Sequence, residues 1–148
     1  MKKTLIIIGS IIGSLILINI LGSVLIPTAK FVDVAIIHPE EISAGEEFTV
    51  TYQITNTSDK TRELHSIDLQ KKFIDEVQVG DTSPDTVDRY NIPGWRSFEF
   101  LTPIQPAETL EVDFTMRAVA GAHLSQTDIC IDGPARCTPE EISLFVSE

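Results

Sequence analysis

The residues best suited to chemistry are two cysteines, separated by six residues in Asp128-Ile129-Cys130-Ile131-Asp132-Gly133-Pro134-Ala135-Arg136-Cys137. A structural zinc centre needs four donors, commonly from two Cys-x-x-Cys pairs, and none of His38, His65 and His123 lies within six residues of either thiol. A thioredoxin-like redox pair is Cys-x-x-Cys at a helix start, which this spacing does not match. An antibody-type inter-sheet bridge joins distant strands around a tryptophan, so Trp95 has no such partner. A disulfide across a hairpin fits best, with free buried thiols as the alternative. If the turn is centred on Gly133-Pro134, Cys130 faces Cys137, and Ile129 and Ile131 share the other face with Ile142, Leu144 and Val146. Pro139 is where a bulge would shift that register. Disulfides persist outside the cytosol, so this pair also bears on location.

Other constellations are weaker. Asp75, Glu76, Asp81, Asp85 and Asp88 crowd one stretch, but the Asp-x-Asp-x-Asp-Gly spacing of a calcium loop is absent, and a solvated loop is the better reading. No Gly-x-Ser-x-Gly elbow or His-Glu-x-x-His helix occurs, and nothing places two carboxylates across a cleft. The chain therefore reads as a non-enzyme with no cofactor and no metal. Trp95, the only tryptophan, stands beside Arg96 after Pro93-Gly94. These two types dominate interface hot spots, which makes Trp95 and Arg96 candidate binding residues, with a core cap as the alternative for Trp95. Asn56-Thr57-Ser58 matches the N-glycosylation pattern.

The first thirty residues are a different material from the rest. Met1-Lys2-Lys3 precedes an uncharged run from Thr4 to Ile26, closed by Pro27 and Lys30. About 23 residues at ~1.5 Å each reach about 34 Å, enough for a ~30 Å hydrocarbon layer. Residues 1–27 are expected to form a signal-anchor helix contacting lipid through residues 4–26, with 28–31 a short linker. Lys2 and Lys3 place the N-terminus in the cytoplasm. A cleaved signal peptide is the rival, but its apolar core is normally shorter and ends in a small-x-small site, where Pro27-Thr28-Ala29 offers proline. Gly9 and Gly13 form a Gly-x-x-x-Gly pair, and Asn19 and Ser23 fall on the same helical face; small residues and an amide there suit helix–helix contact and homo- or hetero-oligomers.

The remainder is acidic. Three of the eleven basic residues are Lys2, Lys3 and Lys30, leaving eight against 22 acidic ones, so the outer part carries about −14. Such a surface repels phosphate backbones, which argues against nucleic acid. Residues 32–148 alternate rather than run. Val32, Val34 and Ile36 read as a strand, as do Phe48 to Ile54, Arg62 to Leu69, Arg96 to Phe100, Leu110 to Met116, Leu124 to Ile131 and Ile142 to Val146. Asn56-Thr57-Ser58-Asp59 and Pro106-Ala107-Glu108 supply turns. Phe73 to Val77 reads as a short helical turn or an edge strand, and Gly80 to Asp85 as loop. The expectation is all-β: a seven-stranded immunoglobulin-like antiparallel β-sandwich behind a single N-terminal transmembrane α-helix. Phe48, Val50, Tyr52 and Ile54 against Val112, Phe114 and Met116 should supply much of its core.

The stretches HPEEISAGEEFTVTYQITNTSD and IQPAETLEVDFTMRA resemble bacterial and archaeal immunoglobulin-like modules of the cell-adhesion-related (CARDB) type. The resemblance rests on a Pro-to-Gly-Glu turn, an alternating strand ending in Asn, and a second Pro-x-Glu turn before another alternating strand; Ala107 replaces the glycine usual in that second turn. It implies seven strands, an extracytoplasmic setting, a binding or spacing role and no catalytic residues. The function expected is that of a non-catalytic single-pass membrane protein, its domain outside, binding a protein partner in the cell envelope or serving a larger membrane complex. The alternatives are a pilin-like filament subunit and a carbohydrate-binding module, with Trp95 and Tyr90 as stacking residues.

Overall fold

Alternation of large apolar and polar residues decides most of the architecture. The computed structural model describes residues 31–148. The anchor expected over residues 1–27, with Gly9, Gly13, Asn19 and Ser23, lies outside them, and no helix of the described residues is long and apolar enough to cross a membrane. In chain order come β1 (Val32–Ile37), β2 (Ile42–Ser43), β3 (Glu47–Asn56), β4 (Arg62–Gln70), α1 (Lys71–Glu76), β5 (Val77–Ser83), β6 (Asp88–Ile92), β7 (Trp95–Ile104), β8 (Thr109–Ala118), β9 (Gly121–Ile131) and β10 (Cys137–Ser147).

The strands form two packed sheets, of order β1-β3-β8-β5 and β2-β10-β9-β4-β7-β6. All pairs are antiparallel except β2 with β10, which run parallel over Val146–Ile42 and Ser147–Ser43. The two sheets match the layers of a variable-type immunoglobulin domain, but the route differs. After β4 the chain crosses through α1 to β5 on the opposite sheet, and only then returns to build the β6–β7 hairpin beside β4.

All seven strands expected from alternation are present, and three more join them. β2 is two residues long. β5 runs through Gly80 to Ser83, which alternation assigned to loop, because an irregularity between Val79 and Thr82 breaks its period. β6 is an edge strand with no buried residue, so it shows no apolar alternation.

The core is built from the inward faces of both sheets. Phe48, Val50, Tyr52 and Ile54 of β3 face Val112, Phe114 and Met116 of β8 across one sheet, and all are buried. Phe114 is the aromatic hub: Tyr52, Phe98 and Phe100 meet its ring edge-on at centroid distances of 5.4, 5.1 and 6.2 Å, the arrangement the ring quadrupoles favour. Outward residues of β3 and β8 pair by hydrogen bonds instead, Thr51 donating to Asp113 at 2.6 Å and Gln53 to Glu111 at 2.9 Å.

Asn56, the first residue of the glycosylation-pattern tripeptide, has a structural role. Its side chain is fully buried. Nδ2 donates to the carbonyls of Lys60 and Ile104, both at 2.8 Å, while Oδ1 accepts from the Ser58 N–H and hydroxyl. An amide spent in this way inside the fold is not a glycosylation acceptor. It ties the β3–β4 turn to the end of β7.

Candidate functional site

The outer face of the six-stranded sheet gathers the residues that sequence spacing singled out, together with several that it did not. Register stacks them into rows across the strands. One row runs Asp88, Glu99, Ser66, Cys130 and Cys137; the next runs Tyr90, Ser97, Asp68, Asp128 and Pro139; a third holds Ile92, Trp95 and Gln70. Inward neighbours on the same strands, such as Ile67, Leu69, Phe98 and Ile129, belong to the core.

Cys130 and Cys137 are directly opposed across β9 and β10, with Cα atoms 3.9 Å apart, and form a disulfide. The apolar parity also holds, since Ile129, Ile131, Ile142, Leu144 and Val146 are all buried. Pro139 introduces no bulge, and pairing continues without a shift to Val146 opposite Gly121. Its missing N–H costs nothing there if that position faces away from β9, as proline on an edge strand must. The hairpin end is pinned to β4: Arg62 Nη1 donates to Asp132 Oδ2 at 2.7 Å and the Glu63 N–H to Oδ1 at 3.0 Å. Burial pushes the Asp132 carboxyl up, but the Arg62 and Glu63 hydrogen bonds and the charges of Arg62 and Arg136 outweigh it, holding the group below the usual range.

Trp95 and Arg96 are not brought together. As successive residues of β7 they point to opposite faces, Trp95 outward opposite Gln70 and Arg96 inward beside Leu69. Trp95 finds a different companion, because Tyr90 is opposite Ser97 and therefore a diagonal neighbour of Trp95 on the same face. Both rings are half-buried.

The middle of the face is polar and partly shut off from water. Asp68 and Ser97 are 8% and 1% exposed, and neither Asp68 Oδ1 nor Ser97 Oγ has a hydrogen-bond partner. Asp68 Oδ2 lies 3.6 Å from Cys130 Sγ, but a disulfide sulfur carries no proton, so this is a contact and not a hydrogen bond. Asp128, directly opposite Asp68, is raised above the usual carboxyl range by burial, against a Gln126 hydrogen bond and with help from the Asp68 charge. The three groups whose ligand atoms come together among the described residues are Asp68, Cys130 and Cys137, and the disulfide consumes both thiols. The acidic stretch expected to be loop is scattered, with Asp75 and Glu76 on α1, Asp81 in β5 and Asp88 in β6.

Farther along β9 and β10 the same face turns apolar. Leu124 and Phe145 are each 69% exposed; with Leu124 opposite Ser143 and Phe145 opposite Ala122, they are diagonal neighbours. Phe145 was not singled out from the sequence, although it falls out of phase with the buried Leu144 and Val146 and could have been found by that signal. Asp68, Ser97 and Asp128 carried no such signal, because polar residues at alternate positions read as a wet face.

The histidines are spoken for by acceptors. His123 is buried, its Nε2 2.8 Å from the Val119 carbonyl and its Nδ1 3.2 Å from Glu76 Oε2, which fastens α1 to the β8–β9 turn. His65 meets Glu99 at 3.6 Å. Among the described residues no hydroxyl or thiol is hydrogen-bonded to a histidine, so no nucleophile–base pair is assembled.

No protein-family model matches the chain, and no curated protein matches it in sequence. Solved structures do match in fold. A cohesin module from a Clostridium perfringens family 33 glycoside hydrolase superposes with a TM-score of 0.51 at 10% identity, over 79% of this chain and 97% of the module. AvmM, which catalyses macrocyclisation in alchivemycin A biosynthesis, gives 0.50 at 10% identity, over 80% of this chain and 90% of its own. The ASH/PapD-like domain of human CEP192 gives 0.48 at 14% identity, over 82% and 87%. In several longer matches the chain spans less than 20% of the solved protein. The likenesses to the cohesin module and AvmM show the fold, an all-β sandwich with immunoglobulin-like layers. A module and a catalyst share it, so the fold does not choose between them.

Proposed function

We propose that this chain is a non-catalytic, single-pass membrane protein that displays its sandwich outside the cytoplasm and recognises a protein through the outer face of the six-stranded sheet. The observation that carries the reading is the Leu124–Phe145 pair, two large apolar side chains 69% exposed on a face whose inward counterparts are fully buried. Contiguous exposed apolar surface is what interaction sites present, and this diagonal pair supports that role. The resemblance to cell-adhesion-related modules and the PapD-like and cohesin folds fit the same role. A photo-crosslinking residue at position 145, with one at exposed Ile37 on the other sheet as control, tests it in intact envelopes. A discrete adduct from position 145 alone is expected; equal labelling from both positions, or none, would sink the reading.

A second reading, glycan recognition, has its own observation: the structure brings Tyr90 and Trp95 to one face beside polar Gln70 and Asp68. The matched cohesin module belongs to a glycoside hydrolase, which puts this fold in the company of a carbohydrate-active enzyme. Binding on a glycan array that disappears in Trp95→Ala, while crosslinking from position 145 finds no protein, would replace the first reading with this one.

A further inference from the structure

The outer face of the six-stranded sheet is one-sided in charge. Its three rows hold five acidic side chains: Asp88 and Glu99 in the first, Asp68 and Asp128 in the second, and Glu141, opposite Gln126, in line with the third. No lysine or arginine stands in those rows. Among the described residues no lysine or arginine forms an ion pair with any of the five, and Glu99 meets only His65, at 3.6 Å. The opposite sheet treats its outward acids differently. There Thr51 and Gln53 donate to Asp113 and Glu111, and Arg117 stands 3.7 Å from Glu47.

The acidic rows adjoin the exposed apolar pair. Glu141 faces Gln126 and Leu124 faces Ser143, so Glu141 and Leu124 are diagonal neighbours, a separation of roughly 7–8 Å. Asp128 lies four residues from Leu124 along β9, about 14 Å at ~3.4 Å per residue. Whatever covers Leu124 and Phe145 therefore comes within reach of uncompensated negative charge. A second copy of this chain, docked by the same face, would set the same acids against each other. Any other anionic surface meets the same repulsion. An occupant of opposite sign brings the counter-charges that the face itself lacks.

We propose that this face docks a cationic segment of a partner protein, with large apolar side chains over Leu124 and Phe145 and lysine or arginine over Glu141 and Asp128. The inference rests on the protein-recognition reading above and adds the chemistry of the partner to it. Burial of the apolar pair supplies the contact, and the acidic rows select the partner by charge and speed its approach.

The crosslinking residue at position 145 of the full-length protein is the probe. Adducts are formed in isolated envelopes at ionic strengths of about 0.1 M and 1 M, between which the Debye length falls from about 10 Å to 3 Å. The peptide joined to position 145 is then identified by mass spectrometry. A peptide of net positive charge is expected, with a yield at least about threefold lower at the higher ionic strength. Glu141→Gln combined with Asp128→Asn should lower the yield at the lower ionic strength by about threefold or more and remove most of the salt dependence. Asp33→Asn combined with Glu111→Gln takes the same charge from the other sheet and should change neither. Variants are compared once the hairpin disulfide is shown intact, and Glu141→Gln alone replaces the first pair if that pair does not fold. An adduct to a neutral or acidic peptide, a yield indifferent to salt and to the Glu141 and Asp128 changes, or an adduct between two copies of this chain would overturn the inference and leave protein recognition standing. No adduct at all would overturn both.

Discussion

Single buried groups carry unusually clear signs here. The Tyr52 phenol is fully buried, faces Thr127, and has no partner in hydrogen-bonding geometry. Burial pushes it up to about 12, only partly opposed by the Thr127 hydroxyl. In the unfolded chain tyrosine ionises near 10. Between these values the unfolded state has released a proton that the native state keeps, so stability contributed below pH ~10 falls as pH rises and is gone above ~12, a loss of roughly 3 kcal/mol. Tyr52→Phe should remove that part of the alkaline decline. At neutral pH the variant should be as stable as wild type within about 1 kcal/mol, since it deletes an orphaned hydroxyl. Chemical denaturation of both proteins at pH 7 and 11 decides; equal alkaline slopes would refute the assignment. Ala107 presents the opposite case. It sits at φ 63°, where a Cβ is crowded, at the turn position where the resemblance led one to expect glycine. Relief of left-handed strain, about 1–2 kcal/mol, exceeds the entropy glycine adds to the unfolded chain, about 0.4–1 kcal/mol. Ala107→Gly should therefore raise stability by about 0.5–1 kcal/mol, read as a higher urea midpoint at constant slope.

The β9–β10 hairpin is the element on which sequence and structure agree most closely, and its energetics are correspondingly easy to state. Its disulfide closes a loop with a separation of 7 residues, which in the chain-entropy model stabilises by about 2.5 kcal/mol. Reduction, or the double change Cys130→Ser with Cys137→Ser, should lower the stability by about that amount, and the oxidised chain should weigh about 2 Da less than the reduced one. A denaturation midpoint indifferent to reductant would contradict this. The Arg62–Asp132 link at the hairpin end adds a contribution present above the ordinary carboxylate range and lost as pH falls below it. The hairpin was legible because its information is local: two cysteines, a Gly-Pro turn and the run Ile142, Leu144, Val146 all demand one register. β3 and β8 were legible for the same reason. β5 was not, since the irregularity between Val79 and Thr82 interrupts the period, nor was β6, an edge with nothing buried. The middle of the candidate site escaped on different grounds. Asp68, Ser97 and Asp128 become neighbours only when β4 lies between β7 and β9, and their burial follows from that position, not from any pattern along the chain. Trp95 with Arg96 shows the converse error, where adjacency in sequence put two side chains on opposite faces.

At the scale of the whole chain, the proposed anchor has to be consistent with the charge and the disulfide. Residues 31–148 carry about −14, against a charge of +3 from Lys2, Lys3 and Lys30. Under the proposed topology a linker of four residues reaches at most about 14 Å, so the sandwich would stay beside the membrane. The uncharged run of residues 4–26 is long enough for the proposed anchor to hold it there. The proposed topology also has to agree with the disulfide, because such a bond persists in an oxidising compartment and not in the cytosol. Exchanging the flanking charges, with Lys2→Glu and Lys3→Glu and three lysines inserted after Ile26, should invert the insertion. In wild-type cells, thiols probed by alkylation after denaturation without reductant should be blocked at both Cys130 and Cys137. In the inverted protein both should be modified, and the sandwich should lose the hairpin's disulfide contribution in the same population. Free thiols in the wild-type protein would place the domain in the cytosol and remove the extracytoplasmic reading. Blocked thiols in both proteins would show that the lysines do not set its orientation.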